Sequence, residues 1–340
     1  MKPVRLGLFS AGFGIDLGTA NTVVCRPSGT VVLNEPSVMV VRADDHHEAV
    51  LIGSEARELL GRTPVGMMTV RPIRDGVITD LETARAFIVS ILRRVTRRPW
   101  ERVRPRAVVG VPSGATTLER RALIEAVEEA GVGRVDLVPE PIVGAVGCGI
   151  DPLSRRAHMV IDIGGGTAEM TAFCFGGILA NQSTRIAGDE MTLAIHQYLR
   201  QKHQMVVGEL TAEDVKMRLR QSPNGSNPLM VEGRDLVSGR PSVLALDTDE
   251  VAEALRPTVD GIVDALGACL ADLPPQASGD IMQDGVLVFG GGSLLQGFDS
   301  RLEEAFGLSV SHAKHPLTCV AEGAAAALSQ PAVVAAYATR

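Results

Sequence analysis

Short apolar runs and longer amphipathic stretches alternate along this chain, and their spacing predicts strands alternating with helices. The first run reaches Asp16, passes a turn of small and hydroxyl residues from Gly18 to Thr22, and resumes at Val23 and Val24. That order predicts strand, tight turn, strand. It returns in the second half, where an apolar run ends at Asp162, Gly164, Gly165, Gly166 and Thr167 follow, and residues 170–175 are again apolar. An internal repeat of this kind predicts two related domains.

The remaining pattern fills in around these two hairpins. Residues 30–41 predict a strand interrupted by turn chemistry at residues 34–37, followed by a polar tip at 44–48 and a strand at 50–52. Ser54 is placed to cap a helix through residue 60, residues 70–80 read as a connector, and Asp80 caps a long helix. Leu81, Ala84, Phe87, Ile88, Ile91, Leu92 and Val95 recur at helical spacing and predict its buried face. A strand at 107–111, a helix at 119–130 capped by Thr116 or Thr117, a strand at 135–138 and a small-residue helix up to Gly149 come next. Beyond the second hairpin, Gly176 and Gly177 turn the chain into another strand. Helices are predicted over 188–202 and from Thr211, where residues 211–214 resemble a capping box. A polar loop at 222–228 follows, then short strands over 230–246 broken at Gly233 and Gly239. A long helix over 247–273 carries Pro257, a point of division, and Pro274 and Pro275 stop it. A buried strand at 286–289 runs into Gly290, Gly291, Gly292 and Ser293, a third glycine-rich turn. The last strand is predicted at 309–312 and the last helix at 321–328, and the residues after Pro331 are the one stretch whose order the pattern does not require.

Composition narrows the function. The 340 residues allow two domains of ordinary size, and 45% hydrophobic with 3% aromatic residues means cores built from Val, Leu, Ile and Ala. A net charge of −7 argues against bulk binding to nucleic acid or to an anionic membrane, though it leaves room for a local basic patch. The five scattered cysteines contain no Cys-x-x-Cys pair, so neither a disulfide framework nor a structural zinc site is expected, and a cytoplasmic protein fits best. No apolar stretch reaches the length of about 20 residues needed to cross a bilayer. One segment departs from this picture: Arg93, Arg94, Arg97, Arg98, Arg102, Arg104 and Arg106 surround Trp100, the only tryptophan, and such a loop suits a membrane surface as well as plain solvent.

The chemistry gathers at the turns. Gly18 has no Cβ to obstruct a ligand, and the turn's N–H groups with the Thr19, Asn21 and Thr22 side chains can ring a phosphate. Asp16 and Asp162, each closing a strand, suit a hydrated metal ion. Three glycine-rich turns, two headed by Asp, point to one nucleotide cleft, gripped from opposite sides. There is no Gly-x-x-x-x-Gly-Lys-Ser/Thr run, which excludes a P-loop, and no Gly-x-Gly-x-x-Gly opening a helix after a strand.

Over almost the whole length the sequence resembles the actin, sugar-kinase and heat-shock-chaperone ATPase superfamily, and within it the bacterial actin MreB and MreB-like (Mbl) family. The resemblance rests on Asp16-Leu17-Gly18-Thr19-Ala20-Asn21-Thr22, Asn34-Glu35-Pro36-Ser37, Arg71-Pro72-Ile73-Arg74-Asp75-Gly76, Val111-Pro112-Ser113-Gly114, Glu140-Pro141, Asp162-Ile163-Gly164-Gly165-Gly166-Thr167, Gly188-Asp189-Glu190 and Pro316-Leu317-Thr318-Cys319. Leu210 and Glu322 depart from the family pattern. The resemblance implies an α/β, actin-like ATPase fold of two related domains, each a mixed sheet with helices plus a smaller subdomain, flanking a nucleotide cleft. It places the first domain at residues 1–140, with its subdomain at about 34–75 and completion by residues 316–340. The second occupies 141–315, with its subdomain at about 189–247.

It further implies ATP and Mg2+ as cofactors. Asp16 and Asp162 would hold the hydrated metal. Gly18, Thr19, Ala20, Asn21, Gly164, Gly165, Gly166 and Thr167 would cradle the phosphates. Glu140 would position the attacking water, helped by Thr167. Glu209, Glu213 and Lys216 would face ribose and adenine, with Gly291, Gly292 and Ser293 opposite. The implied function is an ATPase that forms filaments of its own copies at the inner face of the cell membrane. It would guide cell-wall synthesis with elongation proteins such as MreC, MreD and RodZ. Membrane contact is expected through Val4, Leu6, Leu8 and Phe9 and through the Trp100 loop. A sugar kinase of the same superfamily and a nucleotide-holding scaffold with slow turnover are the alternatives. A chaperone reading lacks a peptide-binding domain after the ATPase.

Overall fold

The computed structural model describes residues 12–44, 48–96, 105–219, 228–295 and 297–339. The first sheet is built from β1 (Gly12–Leu17), β2 (Asn21–Cys25) and β3 (Val31–Pro36) as an antiparallel meander. Ser37 then breaks the run: its N–H donates to the Ala20 carbonyl and its hydroxyl to the Gly18 carbonyl (2.6 Å), so β3 ends where it fastens the first glycine turn. A small three-stranded sheet follows from β4 (Met39–Arg42), β5 (Ala49–Ile52) and, after α1 (Ser54–Arg57), β6 (Met67–Val70). The expected connector forms a two-stranded piece, β7 (Ile73–Arg74) and β8 (Val77–Ile78).

Asp80 caps α2 (Leu81–Val95) by accepting from the Thr83 N–H, and the helix lays its apolar stripe on the sheet, though Leu81 stays exposed. β9 (Arg106–Val111), α3 (Thr117–Glu129) and β10 (Arg134–Pro139) complete the first sheet in the order β10-β9-β1-β2-β3. A full capping box between Thr116 and Glu119 starts α3. α4 (Glu140–Gly147) then leads into the second sheet.

That sheet repeats the first. β11 (His158–Ile163), β12 (Ala168–Cys174) and β13 (Gly177–Thr184) form the meander. Then come α5 (Gly188–Lys202), β14 (Met205–Val206), α6 (Glu209–Leu219), β15 (Leu229–Asp235), β16 (Pro241–Leu246), α7 (Thr248–Ala271) and α8 (Pro275–Asp284). β17 (Val286–Phe289), α9 (Phe298–Phe306) and β18 (Val310–His312) finish the order β13-β12-β11-β17-β18. Strand for strand, β1 corresponds to β11, β2 to β12, β3 to β13, β9 to β17 and β10 to β18, with the same parallel and antiparallel pairings. The repeat expected from the two Asp turns is thus a repeat of whole sheets.

α10 (Cys319–Ala327) returns to the first half and packs on β1, β2 and β9, while after α11 (Pro331–Tyr337) Thr339 forms an isolated antiparallel bridge with Leu137 of β10. α10 and α4 cross with almost no gap. A Cβ on Gly323 would lie 1.7 Å from the Val143 carbonyl oxygen, so only glycine permits the crossing.

Several boundaries differ from expectation. α1 is one turn long, capped by Gly53 and not by Ser54, whose hydroxyl instead donates to Glu35 Oε2 (2.8 Å). α6 begins two residues before Thr211, and Gly233 sits inside β15 without breaking it. α7 runs through Pro257 undivided, because Val251, Leu255, Val259 and Ile262 keep one face of it buried on both sides of the proline. α8 and α11 were not expected; in both, proline occupies the first helical turn, where its missing N–H costs nothing. Glu322 accepts from the Thr318 hydroxyl (2.6 Å) within the first turn of α10. All five cysteines are free, three of them buried. No single helix among the described residues is long and apolar enough to cross a membrane. Val4, Leu6, Leu8, Phe9, Trp100, most of the basic loop around it and most of the polar loop at 222–228 lie outside the described residues.

Candidate functional site

The two sheets bring their equivalent strand ends to one cleft. Asp16 lies on β1 between Val23 of β2 and Gly110 of β9. Asp162 lies on β11 between Glu169 of β12 and Phe289 of β17. The cleft between them encloses about 750 Å³, within the range of small-molecule sites.

Most residues singled out in the sequence line it: Asp16, Gly18, Thr19, Ala20, Asn21, Glu140, Asp162, Gly164, Gly165, Gly166, Thr167, Glu209, Glu213, Lys216, Gly291 and Gly292. Ser293 does not. The 3-10 turn Gly292–Leu294 buries it and directs its hydroxyl back to the Gly290 carbonyl at 2.8 Å. Thr22 is also withdrawn: it is fully buried and its hydroxyl pairs with that of Ser37 (2.9 Å). Thr19 accepts from the Gly76 N–H (3.0 Å), which joins the β7–β8 turn to the first glycine turn. Gly166 is pressed between them; a Cβ there would fall 2.7 Å from the Asp75 backbone.

α5 docks by its first turn on the second glycine loop, the N–H groups of Gly188 and Asp189 donating to the carbonyls of Gly164 (3.2 Å) and Gly165 (2.7 Å). Lys216 lines the cleft, but its ammonium is engaged: it donates to the Gly188 carbonyl (2.8 Å) and the Thr192 hydroxyl (2.9 Å) and pairs with Glu213 (2.7 Å). Burial pushes the Glu213 carboxyl up, but Lys216 and the Thr192 hydroxyl outweigh it and hold the group below its usual range. At the mouth Arg71, from the first half, pairs with Glu209 of the second. Leu210, the departure from the family pattern, also lines the cleft.

The floor is strongly acidic. Burial pushes the Asp16 carboxyl up to about 7. Asp162 and Glu140 lie well above the usual carboxylate range, by burial first and then by the charges of Asp16 and Glu169. Among the described residues no three His, Cys, Asp or Glu side chains could enclose a metal by themselves. Mg2+ keeps several waters and takes one or two carboxylates together with phosphate oxygens, so this donor set suits a hydrated Mg2+ accompanied by a nucleotide. Ser37, Asp75, Gly76, Asp189, Thr192 and Glu169 were not singled out as site residues in the sequence. Ser37, Asp75, Gly76 and Asp189 do lie within the family-like runs, which was the available signal.

Two sheets of one topology, meeting at a glycine-lined cleft with an aspartate at each equivalent strand end, define the actin-like class of fold. The family model described as MreB/Mbl protein matches residues 10–335, and the chain belongs to that family. Cell shape-determining protein MreB of Escherichia coli (strain K12) is 38% identical over 327 residues, covering 95% of this chain and 94% of its own. Cell shape-determining protein Mbl of Bacillus subtilis (strain 168) is 37% identical over 319 residues, covering 93% and 95%. Crystal structures of MreB5 of Spiroplasma citri bound to AMPPNP and to ADP match with TM-scores of 0.85 and 0.86 at 32% identity, covering 92% of this chain and 94% of that one. The expected actin-like α/β fold and family are both borne out: this is a bacterial actin-like cytoskeletal protein.

Proposed function

We propose that this protein is an ATPase whose nucleotide state governs its assembly into filaments, and that the filaments lie at the inner face of the cell membrane and guide cell-wall synthesis. The observation that carries this reading is the pairing of two equivalent strand-end carboxylates, Asp16 and Asp162, across one glycine-lined cleft. MreB5 of Spiroplasma citri, similar over most of its length, has been crystallised with AMPPNP and ADP, and the curated relatives are cell shape-determining proteins. Self-association, membrane attachment through residues 4–9 and the Trp100 loop, and partners such as MreC, MreD and RodZ are extensions of the family reading.

In this mechanism the N–H groups from Gly18 to Asn21 and from Gly164 to Thr167 hold the phosphates. Asp16 and Asp162 would hold hydrated Mg2+, which when bound would supply charge neutralisation at the transferred phosphoryl group. Phosphoryl transfer needs alignment and charge stabilisation more than covalent help. Glu140, at the first position of α4, orients the attacking water; burial first, and then the charges of Asp16, Glu169 and Asp162, push its carboxyl well above the usual range. The Thr167 hydroxyl shares the water's orientation. Glu209, Glu213 and Lys216 line the side given to ribose and adenine, opposite Gly291 and Gly292.

The test is phosphate release with ATP and Mg2+, alongside pelleting. Glu140→Ala should lose release by about a hundredfold while still binding ATP. Equal release by variant and parent would remove Glu140 from the mechanism. A parent that stays in the supernatant with ATP and Mg2+ well above micromolar concentration, with or without liposomes, would end the filament reading.

A further inference from the structure

The duplicated sheets differ at one buried position. Val23 stands across from Asp16 on β2, and Glu169 stands across from Asp162 on β12. Both are 1% exposed. The frame therefore accepts an apolar side chain here, and valine supplies it in one half. A carboxylate in the other half carries a desolvation cost that the fold alone does not require.

Its hydrogen bonds show what it does. Both carboxylate oxygens accept from the Ser113 N–H, at 3.0 and 3.1 Å, and Oε2 also accepts from the Ser113 hydroxyl at 3.0 Å. Oε1 accepts from the Ser183 hydroxyl at 3.3 Å. Ser183 is on β13, in the same sheet as Glu169. Ser113 is not: it opens the turn after β9, the strand between Asp16 on β1 and the β10 strand that delivers Glu140. That turn is itself fixed, since Arg120 of α3 donates to the Ser113 carbonyl (3.2 Å) and the Ala115 carbonyl (3.0 Å). Glu169 thus ties a rigid piece of the first half to a rigid strand of the second, beneath the cleft. It does not line the cleft.

We propose that Glu169 is a positioning residue: by gripping Ser113 it sets the separation between the Asp16–Glu140 edge and the Asp162 edge on which turnover depends. The inference rests on the ATPase reading. Hydrolysis requires both edges in one geometry, whereas phosphate binding can be held by either glycine loop. Loss of the tie therefore acts on turnover and spares affinity.

The experiment compares the full chain with Ser113→Ala, Glu169→Gln, the double variant and Ser183→Ala. It measures kcat and KM for phosphate release, Kd for a fluorescent ATP analogue, and the melting temperature. Glu169→Gln keeps the shape, so it is preferred over Glu169→Ala, which could fail to fold. Ser113→Ala and Glu169→Gln should each lower kcat about tenfold or more with Kd within about twofold, and the double variant should fall no further than Glu169→Gln. Ser183→Ala, which removes a bond within one half, should keep kcat within about twofold of the parent. The inference is overturned if Ser113→Ala turns over like the parent, if Ser183→Ala falls as far as Ser113→Ala, or if kcat and Kd worsen together. A parent that releases no phosphate refutes the ATPase reading itself and takes the inference with it.

Discussion

At the scale of single residues, Asp16 shows how the site is set against the fold. Its ordinary pKa of 3.8 is raised by burial to about 7. Between those values the folded chain holds a proton that the unfolded chain has released, so stability falls as pH rises through that window and levels off above it. Burial shifts Asp162 and Glu140 in the same direction. Nucleotide-free protein should therefore melt at a lower temperature at pH 8 than at pH 5, and Asp16→Asn should flatten that slope. Melting curves of equal slope for both proteins would show that the Asp16 carboxyl is not buried enough to matter. Asp16, Asp162 and the glycines were legible in the sequence because each cluster is contiguous and its chemistry is local. The contact between Ser113 and Glu169 was not, because it joins residues 56 positions apart, and the run Val111–Gly114 that contains Ser113 does not reveal its partner. Ser293 was misread because a glycine-rich turn does not reveal which way the next hydroxyl points. The 3-10 turn there returns it to its own backbone.

At the scale of elements, capping chemistry and apolar stripes located α2 and α3 closely, since Asp80 and the Thr116–Glu119 box act within one turn. Prolines were less transparent. Pro275 and Pro331 begin helices and Pro257 fails to break one, because what decides is the packing of the flanking apolar residues. The crossing of α4 and α10 was legible only as a surplus of small residues. Its tightness places a firm prediction here: Gly323→Val would drive a side chain into the Val143 carbonyl and should destabilise the protein by about 3 kcal/mol or more, against about 0.5 kcal/mol or less for a surface change. A denaturant melt reads the difference, and a midpoint like the parent's would mean that the helices can separate.

At the scale of the whole molecule, the sequence repeat announced two halves, but the strand-for-strand equivalence of the sheets and the fastening between the halves emerge only in three dimensions. The fastening is graded. At the floor lies the buried Glu169–Ser113 tie; at the mouth lies the Arg71–Glu209 pair, whose side chains are 21% and 53% exposed. An ion pair so exposed contributes about 1 kcal/mol or less. Arg71→Ala should therefore weaken ATP binding by no more than about fivefold, and the parent should approach the variant as salt is raised. Nucleotide titrations at low and high ionic strength test this. A hundredfold loss would mean that Arg71 acts on the nucleotide directly.

The glycine-built crossing of α4 and α10 has a mechanical consequence. Two cylinders that meet backbone to backbone, with a carbonyl oxygen of each filling the space above a glycine of the other, behave as a bearing without lateral play. Such a joint resists sliding, because any shear would force backbone into backbone. The crossing is therefore a fixed reference within the molecule, against which neither helix can slide without backbone meeting backbone.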